Sequence, residues 1–161
     1  MTDHKRVSKD QYYLNIARDI ATRATCLRRK FGAVIVNNDA IASTGYNGAP
    51  RDCLDSLTAG WCYREEKNIP SGERYEMCRS VHAEQNAIIH AGRERTLGAT
   101  LYLSGIDAKT GELCGHEPCL LCLKMIINAG INRVVVQKSE EEYIELSHQD
   151  LIDRFEKTFA R

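Results

Sequence analysis

The chain has 161 residues, 22 of them basic and 22 acidic, so its formal net charge at pH 7 is zero. This length is typical of a single domain with a substantial core, here residues 1–161, and the balanced charge excludes a global attraction to nucleic acid. No apolar run approaches the roughly 20 residues that cross a bilayer, and the polar start, Met1 to Lys9, lacks the apolar segment of a signal peptide. We therefore expect a cytoplasmic protein without a membrane or nucleic acid partner, whose seven cysteines are thiols or metal ligands.

The first half of the chain predicts a helix, a hairpin and a long irregular segment. In chain order, we predict a helix over 11–29 with Ser8 as its N-cap, a strand over 31–36, a turn over 37–39 and a returning strand over 40–45. Residues 46–80 contain two of the three prolines and no clear periodicity. Loops of that length inside a compact domain are usually functional.

The second half alternates helices with β-branched strands. We predict a helix over 81–91, a strand over 99–104, a helix over 119–128 closed by Ala129-Gly130, a strand over 131–137, a short strand over 143–146 and a final helix over 150–159. Such alternation indicates an α/β domain built in layers around one sheet.

Two motifs supply three potential zinc ligands and an acid. His82-Ala83-Glu84 contains one imidazole, and Pro118-Cys119-Leu120-Leu121-Cys122 contains two thiols. Three protein ligands leave a tetrahedral zinc open to water, as catalytic sites require. Proline suits the first turn of a helix, so it would place Cys119 among free backbone amides that favour the thiolate, with Cys122 on the same face. Glu84 is then the expected proton carrier.

Each motif also has a structural interpretation. A lone Cys-x-x-Cys fits a structural zinc knuckle or two buried cysteines, and a lone histidine on an apolar helix is more often a packed residue than a ligand. The combination of His-x-Glu with Pro-Cys-x-x-Cys is typical of zinc-dependent nucleobase deaminases. We therefore predict a hydrolytic centre with one catalytic Zn²⁺ bound by His82, Cys119 and Cys122.

Five sequence blocks resemble those of the cytidine deaminase-like superfamily, and most closely its deoxycytidylate (dCMP) deaminases. They lie at residues 23–26, 32–36, 45–51, 82–88 and 126–131, so the resemblance covers residues 10–137. It implies a three-layer α/β/α fold with a central mixed sheet of about five strands flanked by helices, and hydrolysis of dCMP to dUMP and ammonia. It also implies that zinc activates the water that attacks C4, that Glu84 protonates N3 and then the departing amino group, and that the Ala83 N–H binds O2.

The block at residues 45–51 has further implied roles. By the resemblance, Asn47 binds the sugar or base, and Arg51 meets the 5′-phosphate of substrate or effector. Asn-Gly is also an ordinary turn pair, and an exposed arginine is usually only solvated. Many similar enzymes are activated by dCTP and inhibited by dTTP, with Mg²⁺, at a second site that this segment helps to form. Asn47, Gly48, Pro50 and Arg51 are therefore candidate effector residues, and a homo-oligomer, from dimer to hexamer, is expected.

Two features remain outside the catalytic set. Some similar proteins carry a structural zinc, and Cys26, Cys53, Cys62 and Cys78 would satisfy a closed four-thiolate site; the alternative is four unconnected thiols. The segment 105–116, with Cys114 and His116, is an insertion relative to the family. It is either a plain loop, a modifier of substrate choice or part of a metal cluster.

Two other functions fit the same motifs. One is deamination of a free nucleoside, of guanine or of a base in RNA, although the balanced charge disfavours a polynucleotide. The other is a zinc-stabilised binding module in which Glu84 is incidental. A deaminase loses turnover and keeps its zinc when this glutamate is removed, whereas a binding module is unaffected.

Overall fold

A single mixed sheet forms the centre of the protein, in a computed structural model that describes residues 5–161; the first residues of the polar start, Met1 to His4, lie outside it. Within the described residues the five strands have the order β2-β1-β3-β4-β5. They are β1 (Arg29–Asn37), β2 (Ala40–Tyr46), β3 (Thr100–Asp107), β4 (Arg133–Gln137) and β5 (Tyr143–Ser147). β3 and β4 run parallel, and the other neighbouring pairs are antiparallel. The predicted mixed five-stranded sheet is confirmed.

Helices cover both faces of the sheet. They are α1 (Lys9–Ala21), α2 (Ser56–Ala59), α3 (Tyr63–Glu66), α4 (Ala83–Ala91), α5 (Arg93–Thr96), α6 (Leu120–Asn128) and α7 (His148–Thr158), with a 3₁₀ turn at Tyr75–Met77. α1 packs on one face, and α4, α6 and α7 pack on the other. The predicted α/β/α layering is therefore confirmed. Among the described helices, none is both long enough and apolar enough to span a bilayer.

Alternation along the strands explains the two layers, because successive side chains of a strand point to opposite faces. Val34 and Val36 of β1 share a buried cluster with Leu14 of α1. Their neighbours Ala33 and Ile35 share the opposite cluster with residues of the other three helices, namely Ala87, Ile126 and Leu151. The apolar strand residues thus form two cores, one on each side of the sheet.

Two glycines allow helices to lie unusually close to the sheet. A Cβ at Gly45 of β2 would lie 2.4 Å from the carbonyl oxygen of Ala83 in α4, and one at Gly32 of β1 would lie 1.9 Å from the carbonyl oxygen of Ala17 in α1. Both contacts are with backbone atoms, which cannot move aside as a flexible side chain can. Gly45 therefore sets the distance between the sheet and the start of α4.

The first helix ends earlier than its sequence pattern predicts. α1 has Ser8 as its N-cap, as predicted, but it stops at Ala21 instead of continuing to residue 29. The N–H of Thr25 donates to the carbonyl oxygen of Asn47, and Arg29 already pairs with β3. These long-range hydrogen bonds satisfy the backbone that would otherwise have extended the helix.

The segment 105–116, which the sequence resemblance to the family leads us to expect as an insertion, is more regular than a plain loop. β3 continues to Asp107, and Ile106 forms an antiparallel bridge with Leu113. The Asp107 carboxylate accepts hydrogen bonds from the N–H groups of Lys109 and Thr110 and so holds the turn between them. The segment 105–116 therefore forms a short hairpin that extends β3.

A charged cluster ties α1 to the sheet at the far end from this hairpin. The Asp10 carboxylate accepts hydrogen bonds from both terminal nitrogens of Arg133, at 2.9 and 2.8 Å, and from the hydroxyls of Tyr102, at 2.7 Å, and Tyr143, at 3.3 Å. Arg133 is also paired with Glu145. The hydrogen bond from Arg133 is the main reason that the pKa of Asp10 falls to about 2.

We expect Asp10→Asn to lower the free energy of unfolding at pH 7 by about 2 kcal/mol, which is the free energy that corresponds to the lowered pKa of Asp10. The folded-state pKa lies below the unfolded value of roughly 3.9, so this stabilisation is complete above about pH 5 and is lost as the pH falls towards 2. Urea denaturation between pH 2 and 7 measures it. The matched control, Asp39→Asn, removes an exposed pair with Lys9 and should change stability by less than about 1 kcal/mol. Equal effects of both variants would contradict the assignment.

Candidate active site

Two helix N-termini bring the residues of the two zinc motifs together. His82 is the N-cap of α4, and its backbone N–H donates to the side-chain oxygen of Gln85, 2.9 Å away. Cys119 is the N-cap of α6, in extended conformation, and Cys122 lies in the first turn. Pro118 therefore precedes the N-cap and is not in the first helical turn, which corrects the sequence prediction.

The three predicted ligands form one compact group. His82 Nδ1 lies 3.3 Å from Cys122 Sγ and 3.4 Å from Cys119 Sγ. All three ligand atoms lie within 4.8 Å of one another, and no other group of three or more potential ligands is this close within residues 5–161. One imidazole and two thiols are the donor types that zinc prefers, and three of them leave a coordination position open. The residues present therefore fit a catalytic zinc.

Hydrogen bonds inside the group already favour one thiolate. The Cys122 side chain, acting against burial, lowers the pKa of Cys119 to about 4. The same contact and burial raise the pKa of Cys122. Burial lowers the pKa of His82, but the side chains of Cys119 and Cys78 outweigh it and raise the value to about 10. The two sulfurs thus differ in acidity, with the lower pKa at Cys119.

Glu84 lies beside this group at the start of α4. Its side chain is only 6% exposed, and burial raises the pKa of its carboxyl group. It lines a cavity of about 240 Å³ together with His82, Ala83 and Cys119. A buried carboxyl with a raised pKa is suited to accept and release a proton near neutral pH. The acid and the ligand group therefore face the same space.

Asn47 also lines the cavity, but most of its side chain is already engaged. Its oxygen accepts the N–H of Phe31 at 2.7 Å, and its nitrogen donates to the carbonyl oxygen of Arg29 at 2.9 Å. These bonds fasten the end of β2 to β1. Any contact with a ligand is left to its second N–H.

The other residues of the 45–51 block lie away from the cavity lining. Gly48 forms a bridge with Val81, and Pro50 and Arg51 are exposed. Arg51 is not among the described residues that line the cavity. Its role in binding the substrate phosphate therefore stays a prediction.

The structure does not assemble the predicted four-thiolate zinc site. Cys26, Cys62 and Cys78 line the same cavity as His82, but Cys53 is exposed and does not. No three of these cysteines lie within ligand distance of one another in the described part of the chain. The Cys78 side chain instead helps to raise the pKa of His82. The positions of one cysteine after α1 and of three in the segment 46–80 do not determine whether their side chains converge.

The cavity also contains charged residues that the motifs do not reveal. Arg28, Arg29 and Arg64 line it, as does Glu117. Arg29 begins β1 and Arg28 directly precedes it, whereas Arg64 lies in a four-residue helix whose sequence resembles an exposed turn. Only the tertiary fold directs these side chains inwards.

Glu117, two residues before a predicted zinc ligand, is held by the C-terminal part of the chain. Its carboxylate pairs with Lys138 at 3.2 Å and with Arg154 of α7. Lys138 also donates to the carbonyl oxygen of Gly115 at 2.6 Å. The loop that leads into Cys119 is therefore supported from the end of β4 and from the last helix.

Comparison with known proteins agrees with this site. Residues 7–138 match the family described as the cytidine and deoxycytidylate deaminase zinc-binding region. The deoxycytidylate deaminase of Mycobacterium phage D29 is 38% identical over 134 residues, which cover 80% of this chain and 94% of that protein. That of Saccharomyces cerevisiae is 36% identical over 135 residues, which cover 83% of this chain but only 39% of the yeast protein.

Solved structures support the fold. The dCMP deaminase from cyanophage S-TIM5, in complex with dCMP and dUMP, superposes with a TM-score of 0.61 at 24% identity, covering 96% of this chain and 94% of that one. Cytidine deaminase from Burkholderia pseudomallei superposes with a TM-score of 0.54 at 19% identity, covering 94% and 96%. The matched family region contains both motifs that meet at the two helix N-termini. The chain belongs to the cytidine and deoxycytidylate deaminase family.

Proposed function

We propose that this protein is a zinc-dependent dCMP deaminase that hydrolyses dCMP to dUMP and ammonia. The observation that carries the proposal is the buried Glu84, which shares one cavity with the group formed by His82, Cys119 and Cys122. The 38% identical phage relative, nearly all of whose length is matched, is a deoxycytidylate deaminase, and this favours dCMP over an unphosphorylated substrate.

The residues of the cavity have complementary tasks in this reaction. Zinc bound to His82, Cys119 and Cys122 would supply Lewis-acid activation of water at neutral pH. Glu84 would deliver a proton to N3 of the cytosine and a second one to the departing amino group. The N–H of Ala83, in the first turn of α4, has no acceptor within its helix and would bind O2 of the base. Asn47 would contribute its remaining N–H to the substrate.

A substrate panel tests the proposal. Purified protein is assayed by absorbance and by ammonia release against dCMP, CMP, deoxycytidine, cytosine and guanine. We expect turnover of dCMP well above that of the others. Preference for an unphosphorylated substrate would replace the proposal with the nucleoside or base alternative, and no turnover of any of them would favour a binding module.

Regulation by nucleotides is a separate proposal. The exposed Pro50 and Arg51, next to Asn47 and Gly48, would take part in a Mg²⁺-dependent effector site for dCTP and dTTP on a homo-oligomer of this single domain. Titrating each nucleotide with Mg²⁺ into the dCMP assay tests it, with oligomeric state followed by light scattering. A rate curve and sigmoidicity that neither nucleotide changes would disprove it.

A further inference from the structure

Arg64 is a buried cation without an anionic partner. The residue is buried, with only 6% of its surface exposed to solvent. One terminal nitrogen, Nη2, donates to the carbonyl oxygens of Pro70 at 2.7 Å and Glu73 at 2.6 Å. Its Nε is buried without a hydrogen-bond partner, and within residues 5–161 no carboxylate lies within 4.0 Å of the guanidinium. Since a guanidinium keeps its charge in proteins, this arrangement is costly unless an anion completes it.

The guanidinium lies next to the predicted metal ligands. Arg64 lines the cavity that contains His82 and Glu84. Its Cζ is 4.6 Å from the centre of the Tyr75 ring, and that ring meets the imidazole of His82 edge-on at 5.1 Å. One aromatic ring therefore separates the unpaired charge from the ligand group.

A second unpaired guanidinium reaches the same cavity from β1. Arg29 donates to the hydroxyl of Ser71 at 3.3 Å and has no carboxylate partner among the described residues. The neighbouring Arg28 differs, because it pairs with Glu65 at 3.2 Å. The cavity carboxylate Glu117 is likewise already paired. The lining thus presents two uncompensated positive charges.

We propose that Arg64, assisted by Arg29, binds the 5′-phosphate of the substrate and thereby selects a nucleotide over a nucleoside. This inference rests on the proposed deaminase function. A phosphate monoester carries up to two negative charges and three acceptor oxygens, so it supplies both the missing charge and acceptors for the free N–H groups. The same contact would fix the nucleotide relative to Glu84, because the loop that holds Arg64 packs against His82 through Tyr75.

The alternative is that Arg64 only fastens its own loop through the carbonyl groups of Pro70 and Glu73. The two roles differ in their dependence on the substrate. Loss of a loop contact would impair dCMP and deoxycytidine alike. Loss of a phosphate contact impairs dCMP alone, and mainly through KM.

The test compares Arg64→Gln with the wild type on both substrates, with zinc content measured in parallel. We expect kcat/KM for dCMP to fall by roughly 10- to 100-fold, and that for deoxycytidine to change by less than about threefold. Arg29→Gln should give a smaller loss of the same kind, and it keeps the test valid if Arg64→Gln does not fold. Arg74→Gln, an exposed arginine of the same loop paired with Glu76, is the matched control and should leave both substrates unaffected.

Calorimetry with dUMP and deoxyuridine gives a readout that does not require turnover. We expect the wild type to bind dUMP more tightly than deoxyuridine, and Arg64→Gln to lose most of that difference. Equal binding of the two by the wild type would overturn the inference, as would an equal loss for both substrates in Arg64→Gln with zinc retained. If the wild type deaminates deoxycytidine as well as dCMP, phosphate selection is disproved while deamination stands. Absence of all turnover disproves the proposed function, and the dUMP titration still decides whether Arg64 binds phosphate.

Discussion

Glu84→Gln is expected to reduce kcat for dCMP by at least about 10²- to 10⁴-fold, the usual contribution of a positioned general acid or base. The amide keeps the size of the side chain and its burial beside the ligand group but cannot transfer a proton. Zinc content should remain at about one per chain, because Glu84 is not among the three grouped ligands. Steady-state kinetics together with elemental analysis of the same sample give both values.

Glu94→Gln is the matched control, since Glu94 lies exposed on the neighbouring helix α5. It should retain wild-type turnover. If Glu84→Gln is as active as this control, Glu84 is not the proton carrier. The zinc-stabilised binding module then becomes the better explanation of the site.

Cys122→Ser is expected to remove zinc from the purified protein and activity with it. Cys122 is fully buried in the first turn of α6, so no other side chain can easily replace its sulfur. The loss of zinc affinity should exceed the roughly 10- to 100-fold that removal of a residue supporting a ligand costs. Elemental analysis and competition with a chelator measure it.

Cys114→Ser serves as the control, because Cys114 is half-buried and belongs to no group of three ligands in residues 5–161. It should keep one zinc per chain. Retention of zinc by Cys122→Ser would contradict the ligand assignment. A wild-type value near two per chain would instead reinstate a second site that uses the loop cysteines.

The sequence predicts most of the site because its chemistry is local. His-x-Glu and Pro-Cys-x-x-Cys each place their ligands within one turn of a helix start, so the geometry of each motif depends on few residues. The sheet is predictable for a similar reason, since its apolar alternation is visible strand by strand. The end of α1 cannot be predicted in this way, because a hydrogen bond from Thr25 to Asn47, 22 positions away, overrides the local helical pattern.

Burial of charge is the part that sequence reasoning misses. Arg51 belongs to the block 45–51 that resembles the family, and the sequence makes it a candidate for binding phosphate. In the structure it is exposed and does not line the cavity. Arg64, in the sequence Tyr63-Arg64-Glu65-Glu66, resembles any solvated turn, yet it is buried. The difference depends on the tertiary fold of the loop 46–80, in which Tyr75 lies between Arg64 and His82. The sequence of that loop has no periodicity that would indicate the burial of Arg64.

The pairing of Glu117 with Lys138 and Arg154 has a consequence for where this protein can be cut. The family match ends at residue 138, so 23 residues, 139–161, follow it and look expendable by sequence comparison alone. They include Leu146 and Leu151 of the buried core and the arginine that anchors the approach to Cys119. A fragment that stops at residue 138 would lose β5, uncover the part of the core that α7 covers and remove one of the two cations that hold Glu117 near Cys119. The smallest unit expected to fold and hold zinc is therefore longer than residues 7–138, the region that the family match covers.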